Sequence, residues 1–287
     1  MRARSIKDLS RLTDKKFFLQ ISLGYEQILK HAVSLDEGAQ ILAKQEHVKS
    51  NRVLSLIAEE EAAKCLILMD AVRCPRKPPE LLSNHLWKFS SHLAKAIYSE
   101  ACYVTPDNNN FAGLVKYVEN ECKEFYIDGQ NDFDWIWRNR LEALREEAMY
   151  VDYVETDNGD HIWLLPLEHE FYLEDTSFAL SLAKALYETG CTSASSLQAI
   201  AEFWREITIE FALTFEELRE LNIQTLDILN KRDLLQEQPQ SAFSTIIDLW
   251  TFPMYSLPMK IVPSNKEELR EILASWIQRL ETNESGG

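Results

Sequence analysis

The sequence predicts a mostly α-helical protein: a helical bundle with one small β-hairpin near residues 149–165 and additional helices toward the C-terminus. Three observations carry that expectation. Apolar residues recur at three- and four-residue spacing through most of the chain. In 287 residues there are only 8 Gly and 9 Pro, too few for a fold made of many tight turns. The period switches clearly from helical to alternating just once, around Tyr150, beside an Asn158-Gly159 turn signal.

The elements follow in order. Residues 1–16 read as a basic arm, with Arg2, Arg4, Lys7, Arg11, Lys15 and Lys16 against Asp8 and Asp14. Such an arm is either simply solvated or fitted to an acidic partner or a nucleic acid. Phe17, Phe18, Ile21, Tyr25, Ile28, Leu29, Ala32, Leu35, Ala39 and Leu42 mark a first long helix over about 16–45, with Gly24 and Gly38 as tolerated interruptions. A second helix runs over about 48–72 and ends at Cys74-Pro75 and Pro78-Pro79. A third covers about 80–103, before the loop Thr105-Pro106-Asp107, and a fourth about 111–147, with a break expected near Asp128-Gly129.

Met149 to Glu155 then alternates, the Asn-Gly turn follows, and His161 to Leu165 completes the hairpin, which should lie against the bundle because a lone hairpin is marginal. Helices return over about 176–188, 193–211, 215–235 and 242–250. Residues 254–263 are irregular, and Ser264 to Glu267 forms a capping box for a last helix to about 280. The expected organisation is an arm over 1–16, a bundle with its hairpin over 17–169, a C-terminal helical region over 170–280 and a disordered tail over 281–287.

Charge and cysteine usage narrow the function. The formal net charge is −16, so phosphate backbones are repelled and RNA is a disfavoured partner. Five scattered cysteines make no C-x-x-C pair, which suits reduced thiols of a cytoplasmic protein. No apolar run approaches the roughly 20 residues of a membrane span, so no membrane association is expected. No cofactor and no metal are expected: His161, His169 and Glu170 match no ligand spacing, residues 128–134 lack a calcium-loop pattern, and there is no phosphate-binding glycine loop.

Two constellations remain. On a helical wheel Val53, Leu54, Ile57, Cys65, Leu68 and Val72 share one face; Glu61 and Lys64 fall inside it, Glu60 on its edge, and Glu59 away from it. Charges so placed must be paired, so Glu60, Glu61 and Lys64 read as a fixed ionic cluster, with ligand binding as the alternative role. On the third helix His85, Lys88, His92 and Lys95 share one side. They form either a solvated polar face or a phosphate-binding set in which a histidine acts as general base.

The segments around His31-Ala32, Ser55 to Leu68, His85 to Lys88 and Leu144 to Tyr153, with Trp163 and Pro166 after them, occur in an order that resembles the AbiV-type abortive-infection proteins. These are bacterial phage-resistance factors related to the HEPN helical domains, and the resemblance covers about residues 20–166. It implies a HEPN-like bundle, dimerisation through helices and a role in defence against phage, and it adds Tyr150 and Asp152 as binding residues. Many HEPN proteins are metal-independent ribonucleases that use Arg-x(4–6)-His, the arginine steadying phosphate and the histidine moving the proton. None of the six histidines here follows an arginine at that spacing; Arg76 stands nine residues before His85, and Arg138 has no histidine after it at the required distance.

The sequence therefore points to an anti-phage protein that binds a phage or host protein, as a homodimer and without an evident catalytic motif. The alternative is a ribonuclease in which His85, Lys88 and His92 face Glu60, Glu61 and Lys64. A helical scaffold without a defence role is the second alternative.

Overall fold

A computed structural model describes residues 6–104, 109–127, 135–155, 160–166, 177–267, 269–271 and 274. Arg2 and Arg4, the 128–134 turn, the Asn158-Gly159 tip, His169, Glu170 and the 281–287 tail lie outside them. Within the described residues the protein is mostly helical, with two small two-stranded sheets.

A 3-10 turn at Ile6–Arg11 leads into α1 (Asp14–Lys44), which folds back on α2 (Val48–Arg73). Phe17, Ile21, Tyr25, Leu29, Ala32 and Ala39 form the buried stripe of α1, at the spacing its periodicity requires. At Gly38 the two helices approach closely: a Cβ there would stand 3.3 Å from Leu54 Cδ1. α2 is central. From Ala62 to Arg73 all its residues except Lys64 are buried, because α1, α4, α7 and α8 surround it.

The expected single helix over 80–103 is divided. α3 (Pro79–Leu86) gives way to a 3-10 turn at Trp87–Ser90, and α4 (His92–Glu100) starts anew. The cause is local: Ser91 takes an extended conformation, and its Oγ accepts from Ala94 N at 3.2 Å as an N-cap. The fourth helix is divided as well, into α5 (Phe111–Glu121) and α6 (Arg140–Met149), with strands β1 (Tyr126–Ile127) and β2 (Trp135–Ile136) between them. Asn139 caps α6 through Glu142 N and donates its Nδ2 to Glu121 O and Lys123 O at 2.6 and 2.8 Å, fastening α6 to the end of α5.

The hairpin forms where alternation demanded it. β3 (Asp152–Glu155) pairs antiparallel with β4 (His161–Leu164), with Tyr153 opposite Trp163. The expectation that it lies against the bundle is not met for one face: Tyr153 and Trp163 are both mostly exposed.

α7 (Phe178–Glu188), α8 (Ala194–Trp204), α9 (Phe215–Lys231) and α10 (Gln240–Leu249) complete the helices. Their apolar residues Leu182, Leu186, Ile200, Trp204 and Ile246 join Ile67 and Phe17 in one continuous core. Tyr25 OH donates to Ala183 O across that junction. Gly190 turns the chain between α7 and α8 at φ +82°, where a Cβ would come within 2.9 Å of Leu234 O, so only glycine fits. At the C-terminus Asn265, rather than Ser264, receives Glu267 N; Ser264 N is spent on Glu124 Oε2.

Candidate functional site

α2, α4 and α6 converge on a solvent-open cleft of about 120 Å3 lined by Glu59, Glu60, His92, Lys95, Ser99 and Arg145, among others. Glu60 is its hub. Its Oε1 lies 2.9 Å from His92 Nδ1 and accepts from Arg145 Nε at 2.8 Å, while its Oε2 accepts from Lys95 Nζ. Three elements are thereby bolted together through one carboxylate. Burial would raise the Glu60 pKa, but the hydrogen bonds and charges of Lys95 and His92 outweigh that and hold it below the ordinary carboxylate range.

Glu59, expected to point away, instead accepts from Ser99 Oγ at 2.7 Å. The reason is that α4 packs across this side of α2 as well. Its carboxyl is pushed up, first by burial and then by the nearby Glu100, against the Ser99 hydrogen bond that lowers it. Ionised Glu59 thus carries a cost at neutral pH. Glu59→Gln, which keeps an acceptor for Ser99, should raise stability by about 1 kcal/mol at pH 8. The gain should disappear as pH falls through the Glu59 pKa and both side chains become neutral. Urea titrations at pH 8 and pH 4.5 check this; a gain that persists undiminished in acid contradicts it.

A second row of ion pairs fixes α6. Arg140 Nη2 reaches Glu100 Oε2 at 2.7 Å and Arg140 Nε reaches Glu121 Oε2 at 3.0 Å, while Arg138 pairs with Glu147. Tyr117 OH also donates to Glu100. The hairpin begins three residues after α6, so these pairs and the Glu60 hub together form its mount.

The residues singled out from sequence are distributed over four places. His92 is in the cleft, 48% exposed, and shares Glu60 with Lys95. His85 and Lys88 are not beside it. Both are buried deep in the core: His85 Nε2 lies 2.7 Å from Ile67 O, and Lys88 Nζ donates to Met254 O at 2.6 Å. The 3-10 turn at Trp87–Ser90 rotates them away from the face that His92 and Lys95 present. Burial, aided by the charge of Lys88, lowers the His85 pKa to about 4, and burial lowers that of Lys88 to about 8. Glu61 and Lys64 pair with each other near Phe89 and do not line the cleft. Tyr150 is exposed at the end of α6, and Asp152 is half-buried at the start of β3.

The sequence reading missed two groups. Arg145 and Arg140 are the cations that complete the cleft and the mount; their signal was two arginines on one short helix, each in need of an acidic partner on another element. The other is a fully buried clasp. Asp70 accepts from Arg73, from Tyr98 OH and from Met254 N at 2.7 Å. Arg73 also donates to Thr251 O at 3.0 Å and packs on the rings of both Trp204 and Trp250, at 4.9 and 4.6 Å from their centroids. Its signal was a pair of charges inside the apolar run Ile67 to Val72 and just beyond it.

All five cysteines are free and buried, and burial raises each thiol, Cys74 to about 12 and Cys122 and Cys191 to about 11. They are not nucleophiles at neutral pH. Among the described residues no cluster of His, Cys, Asp and Glu is arranged to hold a metal ion, and no helix is long and apolar enough to cross a membrane.

Comparison with known proteins adds one finding. A family model described as HEPN_AbiV (AbiV) matches residues 20–188, more than half of the chain, from within α1 through the cleft and hairpin to the end of α7. No curated protein and no solved structure gives a significant match.

Proposed function

Because the chain belongs to the AbiV family of HEPN proteins, we propose that it is an anti-phage protein of the bacterial cytoplasm, acting as a homodimer that binds a phage or host protein. The observation that carries binding over catalysis is the state of the cleft: His92, Lys95 and Arg145, the basic side chains lining it among the described residues, all engage Glu60. A phosphate-cleaving site needs at least one cation open to the substrate and a proton-transfer group within reach of it. His85 and Lys88 cannot serve, since neither reaches solvent. The Arg-x(4–6)-His spacing is also absent.

One observation favours the second reading, a ribonuclease. His92, Lys95 and Arg145 share a cleft that opens to solvent, and displacing Glu60 would free all three toward a phosphate. The two readings separate cleanly. A bacterial strain expressing the chain should form fewer plaques under phage challenge, and His92→Ala and Arg145→Ala should each keep that protection, while the purified protein leaves single-stranded RNA intact. Loss of protection together with loss of an RNA-cleaving activity, at unchanged thermal stability, would establish the enzyme instead. Absence of any plaque reduction by the wild type would remove the defence role.

A further inference from the structure

The cleft between α2, α4 and α6 is unevenly balanced in charge. Four acidic residues line it: Glu59, Glu60, Glu100 and Glu142. Glu60 is matched by His92, Lys95 and Arg145, and Glu100 by Arg140. Glu59 and Glu142 have no basic partner among the described residues. For Glu59, burial and the neighbouring Glu100 both work against the charge, and the Ser99 hydroxyl alone works for it. The Tyr103 phenol, half-exposed on the same wall, is opposed in its ionisation by Glu100 and Glu59, which places its hydroxyl near both. An acid held at a cost to stability on the wall of an open cleft marks a binding group rather than a strut.

The remaining wall sets the shape and size of what can meet that acid. Leu56, Ala96, Leu141 and Leu144 make most of the surface apolar. The space, about 120 Å3, is close to the roughly 150 Å3 of an apolar cavity that takes one benzene, so it holds a single organic group of about six heavy atoms. A phosphate fits neither the acids nor the bases, since the basic side chains are spent on Glu60. A neutral group leaves the charge of Glu59 uncompensated. An inorganic cation would bring its hydration shell against leucine side chains. An organic cation satisfies both halves of the wall, its charge countering Glu59 and its stem covering the apolar surface.

We propose that this cleft binds a primary ammonium or guanidinium group carried on a short apolar stem, with the charge at Glu59 and the stem along Leu56, Ala96 and Leu144. Lysine and arginine side chains of a bound protein have this form, and so do free alkylamines. This rests on the reading that the chain acts by binding rather than by cleaving RNA, and it names the chemistry of the group that the cleft holds.

The test titrates the full-length protein at pH 8 with n-butylammonium, n-propylguanidinium, 1-butanol and butyrate, followed by ligand-observed NMR. The two cations should bind at least tenfold more tightly than the alcohol or the carboxylate. Glu59→Gln should weaken the cations tenfold or more without lowering the melting temperature, because the variant removes a charge that the fold holds at a cost. Ala96→Leu, which fills the space and leaves every charge in place, should abolish binding of both cations. Butanol binding as tightly as butylammonium, or cation affinity unchanged in Glu59→Gln, overturns the proposal. A lysine peptide blocked at both ends separates the sources: affinity like that of butylammonium assigns the group to a protein side chain, and affinity confined to butylammonium assigns it to a free amine. Cleavage of single-stranded RNA, assayed on the same wild-type preparation, would remove the underlying reading, whereas failure of the cations to bind rejects this site and leaves that reading standing.

Discussion

Arg73→Ala is expected to lower the unfolding free energy by about 3–5 kcal/mol, the cost of leaving one half of a buried ion pair behind. The side chains of Asp70 and Arg73 are 1% and 2% exposed, so no water can replace the guanidinium. Asp70 would retain Tyr98 OH and Met254 N but lose its countercharge, Thr251 O would lose its donor, and Trp204 and Trp250 would lose the cation packed on both rings. The damage should concentrate where the clasp holds the segment around Thr251–Met254 to α2 and α4. Urea denaturation measures the loss, and tryptophan emission, shifted to longer wavelength in the native baseline, locates it. Asp70→Asn combined with Arg73→Met should recover part of the stability, because no charge is then left buried alone. A loss below about 1 kcal/mol in the single variant would show that the clasp does not hold this segment.

The second large effect separates two histidines that the sequence placed together. His85→Ala should cost about 3 kcal/mol at pH 7, through a cavity beside Tyr98 and the lost partner of Ile67 O. His92→Ala, at a half-exposed site where Lys95 and Arg145 still hold Glu60, should cost less than about 1 kcal/mol. The pH dependence provides an independent check. The folded-state pKa of His85 is about 4, below the ordinary value of 6.5, so between these values the unfolded chain binds more protons and stability rises with pH. Wild-type protein should therefore lose on the order of 3 kcal/mol through this group as pH falls from 6.5 toward 4. His85→Ala should lack that component, so the difference between variant and wild type shrinks in acid. Glu60, with its lowered pKa, adds a loss only below the ordinary carboxylate range. If His85→Ala and wild type lose stability in parallel between pH 7 and pH 5, His85 titrates normally and is not enclosed.

The legible part of the molecule is the part written in local pattern. The buried stripe of α1, the length of α2, the Tyr153–Trp163 hairpin and the helices around 178–188, 215–231 and 240–249 all follow from spacing that any backbone of that period must obey. Breaks were harder. The division at Ser91 depends on one capping hydroxyl, and continuous helical spacing through Phe89 and Leu93 concealed it. The same break decided the candidate site, because a helical wheel drawn through it places His85 and Lys88 beside His92 when they lie in the core. Glu59 shows the limit in reverse: its wheel position said solvent, and α4 covered it.

By itself, the sequence determined the helical class, the family-like order of segments, the position of the hairpin and the presence of charges in α2 that had to be paired. It could do so because periodicity and turn chemistry act over a few residues. Only the tertiary structure decided which partners those charges found: Glu60 with His92, Lys95 and Arg145, Asp70 with Arg73, Tyr98 and Met254. Those partners lie 3 to 184 residues away along the chain. Coulomb attraction and burial depend on distance through space, which no spacing along a sequence encodes until the helices are packed.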